Sequence, residues 1–144
     1  MTGKLKANPA LCIGCYACMI ACQQEKDLAA GEALIQVDVL GPLAKEDGLK
    51  FDVQIRFCQH CDDAPCQATC PEQAIKRTGD SFITVDQNLC NGCLTCVDQC
   101  VVGRIVYCEE NHTVMMCDLC QKDGRLRPQC AKHCPAEALV FNEI

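Results

Sequence analysis

Sixteen of the seventeen cysteines in this 144-residue chain fall into four groups of four, which leaves Cys108 alone. The first group is Cys12, Cys15, Cys18 and Cys22, and the second is Cys58, Cys61, Cys66 and Cys70. The third is Cys90, Cys93, Cys96 and Cys100, and the fourth is Cys117, Cys120, Cys130 and Cys134. Every group opens C-x-x-C and closes C-x-x-x-C, an internal repeat that any fold of this chain has to accommodate. Groups one and three keep the full C-x2-C-x2-C-x3-C spacing. Groups two and four stretch the middle interval but end in Cys70-Pro71 and Cys134-Pro135.

Disulfides, zinc sites and iron–sulfur clusters all use cysteine at high density. The opening "MTGKLKANPALC" carries no apolar leader and no twin arginine. The expected compartment is therefore the cytoplasm, where thiols stay reduced, and an odd cysteine count also argues against a disulfide scaffold. Structural zinc usually sits between two C-x-x-C knuckles, a scheme with no place for the middle cysteine of "CIGCYAC". A cubane [4Fe–4S] cluster needs four thiolates. Cysteines at i, i+3 and i+6 in a turning loop can reach three of its corners. The fourth, four residues on, sits on a following helical turn and tends to point away. In the bacterial C-x2-C-x2-C-x3-C-P run this fourth cysteine ligates the other cluster. Gly14 and Gly92, each between two cysteines, are expected to turn the chain tightly beside such a group. Backbone N–H groups there could bond sulfur.

Four Phe, two Tyr and no Trp supply little core volume. Buried clusters would make up for that, because metal binding contributes folding free energy. The net charge of −6 argues against nucleic-acid binding, which needs a basic stripe. No run approaches the ~20 apolar residues of a membrane span. Strands are expected at 33–40 and 49–57 with a turn over 41–48, then a turn and strand over 77–86, a hairpin over 103–116 with its tip near Glu109–Asn111, and a strand at 138–141. Each C-x-x-x-C tail should open a short helix, as in 18–30. The result is an α+β chain with no linker long or polar enough to divide it.

The four groups, above all "CQHCDDAPCQATCPEQAI" and "MCDLC…RPQCAKHCPAEAL", resemble the four-cluster iron–sulfur subunits of molybdenum and tungsten enzymes. That family includes electron-transfer subunits of formate dehydrogenases, formate hydrogenlyase, dimethyl sulfoxide reductase and carbon monoxide dehydrogenase systems. The small polyferredoxin subunits of tungsten aldehyde oxidoreductases are similar in size. The resemblance spans Cys12 to Phe141. It implies one compact polyferredoxin domain over 1–144 built from two nested ferredoxin-like modules, an outer one over about 1–50 plus 105–144 and an inner one over about 51–104. It further implies four [4Fe–4S] clusters. Cluster 1 would take Cys12, Cys15, Cys18 and Cys134; cluster 2, Cys22, Cys117, Cys120 and Cys130. Cluster 3 would take Cys58, Cys61, Cys66 and Cys100; cluster 4, Cys70, Cys90, Cys93 and Cys96. Spacing by itself leaves sequential pairing of the groups open, and the nested choice rests on the resemblance.

The function implied is one-electron relay with no catalytic site in this chain. The partners would be a catalytic molybdenum- or tungsten-pterin subunit of aldehyde or formate type and a further redox subunit or carrier, within an assembly of higher order. The alternatives are a free polyferredoxin carrier and an accessory protein of cluster or enzyme assembly. Outside the ligand set, Cys108 is expected to be a buried structural thiol. His60 and His133 are expected as partly exposed loop residues, with hydrogen bonding to a ligand sulfur as their functional alternative. His112 is expected at a hairpin tip, Met115 and Met116 in packing, and the pairs Asp62–Asp63 and Glu109–Glu110 on solvated loops.

Overall fold

The computed structural model describes residues 3–79 and 82–144. The chain runs β1 (Gly3–Ala7), α1 (Ala17–Lys26), β2 (Gln36–Lys45), β3 (Gly48–Arg56), α2 (Pro65–Ala68), β4 (Ile75–Thr78) and β5 (Phe82–Val85). It continues α3 (Thr95–Gln99), β6 (Val106–Cys108), β7 (Thr113–Met115), α4 (Gln129–Lys132) and β8 (Leu139–Glu143). The described residues form four two-stranded antiparallel sheets, β1–β8, β2–β3, β4–β5 and β6–β7. The architecture is the expected α+β. Among the described residues no helix is long and apolar enough to cross a membrane.

The helices follow the cysteine groups, and their entries come in two kinds. α1 and α3 are entered from Tyr16 and Leu94, each in the left-handed region with φ of 61° and 64°. α2 starts on Pro65 and α4 follows Pro128. Proline suits a first helical turn because its fixed φ matches the helix and the N–H it lacks would go unbonded there. The groups that keep the spacing thus share one entry, and the groups that end in Cys-Pro share another. α1 packs against α4, and α2 against α3. β1 and β8 join segments more than 130 residues apart, from Gly3↔Glu143 to Ala7↔Leu139.

Two apolar clusters form the interior. One gathers Leu5, Leu34, Ile35, Phe57, Leu119 and Leu139 with the thiols of Cys18, Cys22 and Cys130. The other gathers Ile75, Ile83, Ile105, Val114 and Met116 with Cys66 and Cys96. Thiols therefore take a share of both cores, in keeping with the scarcity of aromatics. The β6–β7 hairpin packs against both clusters, Val106 and Met115 on the first and Tyr107 and Val114 in the second. Gln87 also ties it to the third-group loop: its amide donates to the Val114 carbonyl at 2.9 Å and its carbonyl accepts from the Thr113 hydroxyl at 2.5 Å.

Two of the expected turns are partly strand, and one strand has no counterpart among the expectations. The turn assigned to 41–48 is mostly strand: pairing continues past a register shift between Leu40 and Leu43, down to Lys45↔Gly48. The shift falls at Pro42, which has no N–H for the ladder. Cross-strand pairs Arg56–Asp38 at 2.7 Å and Lys45–Asp52 at 2.9 Å line this hairpin. Ile75–Thr78 is a strand that pairs with β5, although "IKRT" shows no alternation. Of the turn expected within 77–86, Asp80 and Ser81 lie outside the described residues. β1 was not anticipated, since "GKLKA" offers one large apolar side chain. The 103–116 hairpin and the strand at 138–141 form as expected.

Gly92 gives a direct probe of how tightly the third-group loop is held. Its φ is 71°, and an added Cβ would strike the backbone carbonyl of His112. Gly103 has φ 61° with open space around it. Gly103→Ala should cost about 1–2 kcal/mol, the left-handed penalty alone. Gly92→Ala should cost clearly more and lose bound iron, as read by thermal midpoint and iron content of anaerobic protein.

Candidate metal centres

Each group turns by the same device. The residue just before the second cysteine is left-handed in all four: Gly14 (φ 67°), His60 (48°), Gly92 (71°) and Leu119 (57°). This reversal lets the two leading thiols of a group face a common hollow. The N–H of Gly14 lies 3.5 Å from Cys12 Sγ, and that of Leu119 lies 3.5 Å from Cys117 Sγ. The close of each proline-type group repeats as well, with Gln73 and Glu137, three residues after Cys70 and Cys134, at φ 50° and 52°.

The thiols meet across large sequence distances. One small apolar hollow is bordered by Cys12, Cys15, Cys18 and Cys134, with Val37 and Leu139 in its walls. A second is bordered by Cys70, Cys90, Cys93 and Cys96, with Ile75 and Val114. Between these ends, Cys22, Cys117, Cys120 and Cys130 influence one another, as do Cys58, Cys61, Cys66 and Cys100. Neighbouring sites are also in electrostatic reach: Cys130 feels Cys18, and Cys117 feels Cys58. Among the described residues no three His, Cys, Asp or Glu side chains converge closely enough to hold a single metal ion. None of the cysteines is paired in a disulfide.

Burial dominates the acidity of these groups. It pushes Cys18, Cys58 and Cys96 up to about 11 and Cys130 up to about 12, and neighbouring thiols add to the rise. Cys117 is pushed well up by the same cause. Cys93 is the exception: it is exposed, and the hydroxyl of Thr95, 3.4 Å from its sulfur, lowers it. Further N–H groups lie near sulfur, from Leu34 to Cys22 at 3.4 Å, from Ala74 to Cys70 at 3.3 Å and from Val114 to Cys90 at 3.5 Å. Thiol donors around apolar hollows, with backbone N–H groups directed at sulfur, fit a cubane cluster held by four thiolates.

Residues outside the sixteen divide. His133 and His112 are exposed, with His112 near the hairpin tip as expected. Met116 is buried and Met115 packs on the first core. Asp62, Asp63, Glu109 and Glu110 are exposed. Cys108 is half-buried at the end of β6, short of the full burial expected. His60 is a half-buried loop residue as expected, but its Nε2 is buried, and desolvation lowers its pKa to about 4. Two features escape the sequence altogether, Arg104 and the ion pair between Lys26 and Asp118 at 2.5 Å beside the fourth group. No spacing or motif marks either, because both depend on how distant loops meet.

Comparison with known proteins agrees with this chemistry. The family model described as "4Fe-4S dicluster domain" matches residues 49–144. The protein is 35% identical over 139 residues to the B subunit of polysulfide reductase from Wolinella succinogenes, covering 93% of its own length and 72% of that relative. It is 33% identical to the thiosulfate reductase electron transfer subunit PhsB of Salmonella typhi, with 92% of its own length and 71% of the relative covered. Against the B subunit of anaerobic dimethyl sulfoxide reductase from Escherichia coli the identity is 30%, with 92% and 69% covered. The protein therefore belongs to the 4Fe-4S dicluster domain family, and [4Fe–4S] clusters are its cofactor.

Proposed function

We propose that this protein is the electron-transfer subunit of a molybdenum- or tungsten-pterin oxidoreductase complex, holding four [4Fe–4S] clusters in a row and no catalytic site of its own. Such clusters, when bound, supply one-electron chemistry at potentials set by charge, hydrogen bonds and exposure. The ligand sets proposed are Cys12, Cys15, Cys18 with Cys134; Cys117, Cys120, Cys130 with Cys22; Cys58, Cys61, Cys66 with Cys100; and Cys90, Cys93, Cys96 with Cys70. The observation that carries this reading is that each end hollow joins the first three cysteines of one group to the last of another, the fourth group for one hollow and the second for the other. The packing of α1 on α4 and α2 on α3 supports nested pairing over sequential pairing. It also supports two ferredoxin-like modules, an outer one over about 1–50 and 105–144 and an inner one over about 51–104.

Cys15 and Cys93 are the exposed ligands, one at each end of the row. They are the proposed points of exchange with a catalytic subunit and with a second redox subunit or carrier. Four clusters, each adding about −2, would move the net charge from −6 to roughly −14. That favours basic partner surfaces and low potentials. The relatives named above are components of polysulfide, thiosulfate and dimethyl sulfoxide reductases. Reduction of sulfur compounds therefore stands beside the aldehyde or formate chemistry implied by the resemblance as the partner's activity. A reducing cytoplasm is the proposed location, since sixteen ligand thiols must stay reduced to take up iron.

Anaerobically purified protein should contain about sixteen irons per chain with matching acid-labile sulfide; four or fewer would sink the four-cluster reading. Purification from the native source should bring along a large pterin-containing subunit, whose substrate names the complex. A monomer that reduces several unrelated enzymes would point instead to a free carrier. Cys22→Ala should damage the site of Cys117, Cys120 and Cys130 and spare that of Cys12, Cys15 and Cys18; the reverse spectrum would refute the exchange of ligands. Burial pushes the thiols of Cys18 and Cys130 up to about 11 and about 12, so these two hold their protons at neutral pH when empty and iron binding must release them. Cluster loading should accordingly strengthen as pH rises from about 6.5 to about 8.5, with proton release detectable in weakly buffered solution.

A further inference from the structure

Two buried side-chain nitrogens among the described residues have no hydrogen-bond partner, His60 Nε2 and Arg104 Nε. Such groups are rare in folded proteins, and each calls for an acceptor. His60 Nδ1 accepts the N–H of Ile83 at 3.1 Å, so the ring carries a proton on Nε2. The ring stands edge-on to Phe82, and its Nδ1 lies 3.8 Å from Cys58 Sγ. Its electrostatic neighbours include Asp118, the residue after Cys117. His60 thus sits where the second-group loop meets the fourth. Arg104 donates through Nη2 to the carbonyl of Ala33 and interacts electrostatically with Cys22 and Cys100. In the ligand sets given above, Cys58 and Cys100 belong to one central site, and Cys22 and Cys117 to the other. Both unmet donors therefore border the central pair, from different elements.

We propose that His60 Nε2–H and Arg104 Nε–H are hydrogen-bond donors to sulfur at the two central clusters, and that they hold those clusters at higher reduction potentials than backbone N–H groups alone would set. The inference rests on the ligand sets under Proposed function. Reduction adds negative charge at sulfur, and a directed N–H or a fixed cation stabilises the more negative state. The guanidinium cannot lose its charge. The end sites each have a water-exposed ligand, Cys15 or Cys93, whereas none of the eight central cysteines is exposed. Enclosed sulfur has to find its donors within the protein. The turn itself does not require histidine, since Gly14, Gly92 and Leu119 occupy the same backbone position in the other groups with no side-chain donor.

The test is an EPR-monitored redox titration of the full anaerobic protein, with iron and sulfide counted on the same samples. The variants are His60→Leu, Arg104→Met and Arg104→Lys. Leucine at 60 keeps the left-handed turn feasible, as Leu119 does in the fourth group. His60→Leu should lower one midpoint, and Arg104→Met two, each by about a tenfold change in reduction constant, about 59 mV for one electron. Arg104→Lys, which keeps the charge without the guanidinium fork, should recover part of the loss. The other midpoints should stay in place. Full iron with unmoved midpoints, or all four midpoints shifting together, overturns the proposal. Wild-type iron well below sixteen per chain instead removes the four-site reading, and this inference with it. If His60→Leu loses iron relative to wild type, the Arg104 pair decides on the same criteria.

Discussion

One backbone constraint underlies the rest of this structure: a left-handed residue between the two leading cysteines of every group. Glycine meets it freely at 14 and 92. His60 and Leu119 meet it at φ 48° and 57°, a conformation that costs about 1–2 kcal/mol for a residue with a Cβ. Strain of that kind persists where the surroundings over-determine it. Leu119 is 1% exposed and sits in the first core, and His60 is wedged against Phe82 with Ile83 bonded to its ring. Where glycine is absent, packing holds the turn. The strained positions are thus also the ones that pin distant loops to the thiols.

The four groups are built as two kinds, and each packed pair takes one of each. Groups one and three enter their helices through a left-handed residue directly after the second cysteine. Groups two and four stretch the interval and use proline at or just before the helix start. α1 of the first kind lies against α4 of the second, and α3 of the first lies against α2 of the second. A tight loop that presents three thiols is set beside a looser one whose final cysteine lies close to the same hollow. The β1–β8 pairing closes the outer arrangement with backbone hydrogen bonds that do not depend on the side chains of either short strand.

This economy shows in the core. With few aromatics, each apolar cluster includes thiols among its buried members. Those thiols are raised in pKa because their surroundings disfavour charge. The same surroundings would reject bare thiolates, yet they suit thiolates that share their charge with an iron–sulfur core, so metal loading and core formation are coupled. The long β2–β3 hairpin stands apart from this logic. Its base packs through Val37 on α1, whereas Leu49 and Phe51 toward its tip are exposed.

The sequence by itself determined the local chemistry. Cysteine spacing, the Cys-Pro endings and the two in-group glycines specify loops that each turn and then open a helix, because those features act within a few residues. They also carried the family, the cofactor and the α+β class. Tertiary structure decided what depends on partners far along the chain. β1 and β4 are strands because of what they pair with, and little in "GKLKA" or "IKRT" announces it. The 41–48 stretch reads as a turn from its Gly and Pro, but the register of the flanking strands carries pairing through most of it. His60 sits in a loop whose outward look changes once Phe82 and Ile83 pack on its ring, and Arg104 is an ordinary arginine until Cys22 on α1 and Cys100 at the end of α3 come within its electrostatic reach. Spacing fixes how far a thiol can reach, but which distant segment it meets is settled by packing.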